Sequence, residues 1–326
     1  MQLLSIAESI NLALDHEMAN NPDVVLLGQD IAKTGGVFRV TQGLYEKYGE
    51  QRVLDTPLAE SMIVGLSVGM ASQGLRPIAE IQFMGFIFPG FNQIATAVAR
   101  MRNRTRGRIT LPMVIRMPYG GGIHAPEHHS ESTEALLAHL PGLKIVIPSS
   151  PSRAYGLLLA AIRDPDPVIF LEPKRIYRSQ KHALGKNNEA YPIGSCFIDR
   201  VGSDITLVSW GAMLRETHQV ADELAKMSID CEVIDVATIS PLDMRSIFES
   251  VAKTGRCVIV QEAARNCSVA SEIAAELVEH GLRLLKAPVT RITGYDTIMP
   301  YPKMEHYYMP SVERIREAVL RVMEYQ

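Results

Sequence analysis

Apolar positions along this chain fall into two alternating rhythms. Residues 5 to 20 place Ile6, Ile10, Leu14 and Met18 at helical spacing, and Asn20-Asn21-Pro22 ends the run. Val24-Val25-Leu26-Leu27 follows as a short continuous apolar strand, with Gly28-Gln29-Asp30 and Gly35-Gly36 beyond its carboxyl end. The alternation continues: helix 57–73 to strand 77–81, helix 87–103 to strand 112–116, helix 131–139 to strand 143–147, and helix 151–163 to strand 168–171. Residues 174–200 interrupt it, and the polar stretch from Lys181 to Tyr191 reads as a surface linker. It then restarts with strands at 204–209, 230–235, 256–260 and 289–293 and helices at 214–227, 243–253, 268–281 and 311–324. Such alternation predicts an α/β fold with mostly parallel sheets covered on both faces. The expected division is a first domain over 1–180, a linker over 181–200 and a smaller α/β domain over 201–326.

One stretch departs from ordinary amphipathic patterning. Asp55-Thr56-Pro57-Leu58-Ala59-Glu60 leads into residues 61–73, which carry no charge. Thr56 suits an N-cap and Pro57 a first helical turn. A helix apolar on every side, with Gly65 and Gly69 four apart, is expected to be buried close to a neighbouring backbone. Glu60 at its mouth has two readings. It is an acid favoured by the helix dipole, or a partly buried carboxylate aimed at a ligand nitrogen.

Composition changes this picture little. Of 326 residues 47% are hydrophobic and 21% charged, and the net charge of −3 offers nothing to a polyanion. The five arginines alternating from Arg100 to Arg108 lack a second basic patch or an aromatic reader, so helix-end and ion-pair roles are expected rather than nucleic acid. Four scattered cysteines suit reduced thiols. A capping box from Ser5 to Glu8 begins almost at once, and no leader pattern or apolar run of membrane length is seen, so a cytoplasmic chain without a membrane partner is expected.

Residues 117–134 hold three glycines after a strand and then His124-Ala125-Pro126-Glu127-His128-His129-Ser130. The letters H-x-x-E-H match a zinc-hydrolase pattern, but that chemistry needs one helical face and Pro126 interrupts it. His129 can move protons near neutral pH, His124 reads as a surface residue, and Ser130 is expected to cap a helix starting at 131.

Three motifs in order, Thr56-Pro57-Leu58-Ala59-Glu60, Ala79-Glu80-Ile81-Gln82-Phe83 and His128-His129-Ser130, resemble the β subunit of the thiamine-diphosphate decarboxylase component of 2-oxoacid dehydrogenase complexes, most closely the pyruvate type. The resemblance spans about residues 3 to 325. It implies a transketolase-type pyrimidine-binding domain followed by a transketolase C-terminal-type domain. It also implies that Glu60 activates thiamine diphosphate at the pyrimidine N1′, that Leu58, Gln82 and Phe86 contact the pyrimidine, and that His129 is the active-site histidine. For Phe86, in an aromatic run, a plain core role stays open. A monovalent cation, usually potassium, is implied at Ala161, Ile162, Asp164 and Asp166 with a carbonyl near Met113. Asp166 stands where relatives often have Asn, and a simple proline turn remains the alternative there. The chain has no Gly-Asp-Gly, P-loop or G-x-G-x-x-G, so the diphosphate and Mg²⁺ are expected to be held by an α subunit in an α₂β₂ assembly. The second domain, closing on Gly294-Tyr295-Asp296 and Met299-Pro300-Tyr301-Pro302, is implied to meet partner subunits and the acyltransferase core with its lipoyl domain. Branched-chain 2-oxoacid or acetoin chemistry, and a non-catalytic docking scaffold, are the alternatives.

Overall fold

The computed structural model describes residues 3–179, 181–184 and 189–325; the expected linker therefore lies partly outside the described residues, at 185–188. Its contacts gather into two compact units. One comprises Met1–Tyr119 with Leu136–Ile193, the other Gly120–Ala135 with Gly194–Gln326.

In the first unit β1 (Leu3–Leu4) leads to helix α1 (Ile6–Asn20), then β2 (Val24–Gly28), α2 (Leu44–Tyr48), β3 (Val53–Asp55), α3 (Glu60–Ser72) and β4 (Arg76–Glu80). Short helical pieces α4 (Phe91–Gln93) and α5 (Met101–Arg104) precede β5 (Val114–Tyr119). Then come α6 (Glu134–Ala138), whose first two residues belong to the second unit, β6 (Lys144–Val146), α7 (Pro151–Arg163), β7 (Val168–Pro173) and β8 (His182–Ala183), which pairs antiparallel with β1. The central strands run parallel in the order β6-β7-β5-β4-β2-β3, and β2, β5 and β7 are buried along their whole length. That continuous burial is what helices on both faces require. β2 lies between β3 and β4, so the chain reverses direction across the sheet there, and this is where open α/β sheets place ligands at their carboxyl ends.

The best-defined helices have local reasons to start. Ser5 and Glu8 close a capping box on α1, with Ser5 N donating to Glu8 Oε2 at 2.7 Å, and these bonds hold the Glu8 carboxyl down at about 2. Ser150 caps α7 and Pro151 fills its first turn.

α3 differs from its expected form in two ways. It begins at Glu60 with Ala59 as N-cap, not at Pro57, and the Thr56 hydroxyl is buried without a hydrogen bond among the described residues. Thr56 N instead donates to Gly28 O at 3.0 Å, continuing the β3 edge, so the TPLA segment is extended chain rather than helix. Nor is α3 buried all round. Ile63, Val64, Ser67 and Ala71 face the core, while Met62 and Leu66 are 40% and 43% exposed and Gly69 is open.

The expected helix over 87–103 is broken. Pro89 lies inside 3₁₀ turns at Met84–Gly90, and after α4 a π-type turn covers Ile94–Val98 before α5. Proline supplies no N–H to an α-ladder, and π turns inside helices recur at functional sites.

The second unit continues with β9 (Phe197–Arg200), β10 (Ile205–Ser209), α8 (Leu214–Ala225), β11 (Cys231–Asp235), β12 (Thr238–Ser240), α9 (Met244–Thr254) and β13 (Cys257–Val260). It ends with α10 (Val269–Gly281), β14 (Thr290–Ile292), α11 (Pro302–Tyr308) and α12 (Val312–Met323). Its sheet runs β14-β13-β10-β11-β9, parallel except for the antiparallel edge strand β9. Leu207, Val220, Leu224, Val233, Val258 and Ile315 belong to its core.

Candidate functional site

In the first unit the loops leaving β2, β3 and β4 share one end of the sheet. Gly28 pairs with Asp55 on one side and Glu80 on the other. A Cβ on Gly28 would stand 2.8 Å from Glu80 O, so only glycine lets these strand ends converge. Asp55 Oδ1 accepts from Ala32 N at 2.8 Å, tying the loop after β2 to the end of β3. Gln82 Nε2 lies 3.4 Å from Asp30 Oδ2, which links the loop after β4 to the same place.

Glu60 is the first residue of α3 and half-buried, where N–H groups of the first turn favour an anion. The Ser61 hydroxyl donates to Pro89 O. A side chain on Gly90 would meet Glu60 O at 3.1 Å, so the 84–90 turns lie directly on the start of α3. This contact brings the segment carrying Phe86 to the helix that carries Glu60. Phe86 packs edge-on to Phe83 with centroids 5.3 Å apart, Phe83 meets Phe38 at 5.4 Å, and Phe38 meets Tyr177 at 5.3 Å. Phe86, half-buried, belongs to that aromatic row. Leu58, at 71% exposure, projects from the extended segment before α3. Glu60, Leu58, Gln82 and Phe86 thus belong to one unit, on loops from one end of its sheet.

Beneath these loops lies a feature that the sequence reading passed over. Arg116 on β5 sits between Glu80 on β4 and Glu172 on β7, all buried. Burial pushes the Glu80 carboxyl up against the pull of Arg116, and the two acids hold the Arg116 guanidinium well above its ordinary range. Tyr177 donates its hydroxyl to Glu172, and burial raises it far above the usual phenol range. Glu80 Oε1 also lies 3.1 Å from the position of a Cβ on Gly36, whose φ is +80°, beside Gly35 at +76°. The signal was legible: an arginine inside an apolar strand, flanked by apolar strands that carry a glutamate at or next to their last residue.

The residues of the expected cation site also share the first unit. Asp164 follows the end of α7, and Met113 O accepts from Val168 N at 3.0 Å. Ile162 O accepts from Arg76 Nη1 at 2.7 Å, and Asp164 takes both hydrogen bonds of Lys144 Nζ at 2.7 Å. Asp166 pairs with Arg102 at 2.6 Å. Ala161 is buried beside them. Each carboxylate at this turn therefore has a side-chain cation, and a further ion would rest on carbonyl oxygens.

His129 belongs to the second unit, in a 3₁₀ turn at Glu127–His129. Ser130 does not cap a helix: its hydroxyl donates to Pro126 O at 3.2 Å, and α6 starts four residues later, at Glu134. A single tight turn cannot present His124 and His128 on one helical face, and among the described residues no three His, Cys, Asp or Glu side chains gather to hold a metal. Also among the described residues, no helix is long and apolar enough to cross a membrane.

Two parallel-sheet units, with an acid at a helix start on a loop-rich sheet end, define a chain of the transketolase class. The family description "Transketolase, pyrimidine binding domain" matches residues 2–180, and "Transketolase, C-terminal domain" matches residues 194–315. A solved split-gene transketolase chain, described as an inactive β4 tetramer, superposes with a TM-score of 0.81 over 99% of both chains at 20% identity, which shows the fold. The chain belongs to the family of pyruvate dehydrogenase E1 component β subunits. The protein of that name from Acholeplasma laidlawii is 50% identical over 97% of this chain and 96% of its own length. Those from Staphylococcus aureus (strain Mu50) and Bacillus subtilis (strain 168) are 44% and 42% identical over the full length of both chains.

Proposed function

We propose that this chain is the β half of a cytoplasmic 2-oxoacid decarboxylase that works with an α subunit, uses pyruvate, and passes the acyl group to lipoyl-lysine of an acyltransferase core. In this reading residues 1–180 carry the pyrimidine half of the site, 181–200 link, and 201–326 meet partners. The observation that carries it is Glu60 at the first position of α3, locked against the 84–90 turns that bear Phe86. A half-exposed carboxylate, an aromatic face and the Gln82 amide match what an aminopyrimidine needs: an anion at one ring nitrogen, an apolar wall and a polar neighbour. The residues present fit that half of thiamine diphosphate. They do not fit a magnesium-diphosphate half, since the chain has no Gly-Asp-Gly and no acidic trio among its described residues.

Thiamine diphosphate supplies, when bound, an acidic thiazolium carbon and an electron sink for decarboxylation. Glu60 would hold a proton at the pyrimidine N1′, with the helix start around it keeping the carboxylate oriented. Phe86 and Leu58 would exclude water from the bound pyrimidine. His129 moves a proton at the 2-oxo group and helps seat the lipoyl acceptor. The uncovered Met62, Leu66 and Gly69 flank of α3, beside Glu60, supports an α subunit closing over it. A monovalent cation on the carbonyls near Ala161, Ile162 and Met113, with Asp164 and Asp166 alongside, is proposed to rigidify the α7 end; added potassium would then raise the unfolding temperature relative to tetramethylammonium.

The test is Glu60→Gln in a reconstituted αβ enzyme. Assembly is expected to persist while pyruvate turnover falls at least about a hundredfold. Unchanged turnover would defeat the role of Glu60. Preference for 2-oxoisovalerate in the wild type would move the assignment to branched-chain acids, and inactivity with every 2-oxoacid would favour a docking scaffold.

A further inference from the structure

The loop that leads to His129 is gripped by a carboxylate from far along the second unit. Gly120, Gly122 and His124 have φ of +87°, +84° and +59°, so left-handed residues alternate with others along the loop. Alternation of this kind turns successive N–H groups to one side and makes an anion-binding nest. Its occupant is Glu305 of α11. Gly122 N donates to Glu305 Oε1 at 2.6 Å and His124 N donates to Oε2 at 3.1 Å. His124 Nδ1 lies 3.2 Å from Oε2, and Glu305 is 3% exposed while the His124 side chain is 73% exposed. A Cβ on Gly121 would come within 2.4 Å of Met299 Cε, so the loop lies flat against this unit. The downstream residues close on themselves, with His129 N donating to Pro126 O at 3.0 Å and Ser130 N to Glu127 O at 2.9 Å. Gly120 N donates to Glu131 O at 2.8 Å and draws the two ends of the loop together. Only Ala125 stands between the clamped segment and the proline turn that presents His129.

We propose that Glu305 is a positioning residue: its carboxylate, held in the 122–124 nest, fixes the loop so that His129 is presented in one arrangement. The inference rests on the reading of His129 given above. Two charge-assisted bonds to a buried carboxylate hold the loop more firmly than neutral ones. A left-handed histidine is kept only where its surroundings over-determine it. The exposed His124 ring follows as a by-product: its backbone N–H is what the nest uses.

The test is Glu305→Gln in the chain co-produced with its α partner. A glutamine offers one acceptor and turns an N–H₂ toward the second donor, so the clamp is lost with little change of shape. Amide exchange over residues 120–124 is expected to accelerate about tenfold or more, and kcat for 2-oxoacid-dependent reduction of lipoyl domain to fall about tenfold or more. KM for thiamine diphosphate should stay within about twofold, because the proposed pyrimidine contacts lie in the other unit. Wild-type exchange and wild-type kcat in this variant would overturn the proposal. Where Glu305→Gln lowers the unfolding temperature of the whole chain, Gly122→Ala disturbs the same clamp from the loop side. It must then show the same local exchange and kcat loss, and normal behaviour would overturn the proposal. Full turnover in His129→Ala would instead defeat the role given to His129, while the exchange result would still judge the clamp.

Discussion

Arg116 meets Glu172 edge to edge, Nε to Oε1 at 2.6 Å and Nη2 to Oε2 at 2.8 Å, with neither side chain open to solvent. The two parallel bonds fix the guanidinium in the plane between neighbouring strands, and Glu80 takes the remaining nitrogen from the other side. The loop after β2 that carries Gly36 rests on this cluster, and the loop after β4 that carries Gln82 starts beside Glu80.

Breaking the cluster at its centre should be costly. Arg116→Met leaves two buried carboxylates without their cation and is expected to lose about 3–5 kcal/mol in urea unfolding. Adding Glu80→Gln and Glu172→Gln to it should recover much of that loss, because the uncompensated charge is then gone. Equal losses in the single and triple variants would mean that shape, not charge, is what the site supplies.

The stability of the second unit should depend on pH through Glu134. Its carboxyl, buried and facing the charge of Glu262, is pushed up from 4.5 to about 8. Between pH 4.5 and about 8 the folded chain keeps a proton that the unfolded chain has released. This contribution is therefore fully present below pH 4.5 and lost as pH rises through about 8. Glu134→Gln, which keeps an acceptor for Trp210 Nε1, should flatten that decline in unfolding temperature measured from pH 5 to 9. An unchanged slope would assign the decline to other groups.

The thiols should separate into two kinds. Cys267 is exposed, whereas Cys231 and Cys257 are buried and pushed up to about 12 by desolvation. A thiol reagent at neutral pH is expected to label Cys267 within minutes and the buried pair only as the chain unfolds. Rapid labelling of Cys257 in the folded protein would mean that β13 opens locally.

What could be read from the sequence was what local chemistry decides. α1 and α7 fell within a residue of their expected ends because a capping box at Ser5-Glu8 and a Ser150-Pro151 start are complete within one turn. The α3 start was misplaced because Thr56 and Pro57 carry helix-start letters but are drawn into extended chain by the β2–β3 edge, a partner 28 residues away from Thr56 at Gly28. The break in 87–103 is written in Pro89, while the close approach of Gly90 to Glu60 O is something only the packed fold reveals. At the site, motif resemblance picked out Glu60, Gln82 and Phe86, and the structure brings these onto one end of one sheet. Glu305 could not be found that way, since its partners Gly122 and His124 lie more than 180 residues upstream.

The bare flank of α3 has a consequence for the life of the chain. Met62 and Leu66 are exposed beside Gly69, over which no atom of the described residues comes within 4 Å of where a Cβ would stand. If the proposed α subunit covers this flank, copies made in excess of it would present the apolar surface to one another and to chaperones, and matched synthesis of the two subunits would avoid that. In such an assembly, thermal loss of activity should slow as protein concentration rises.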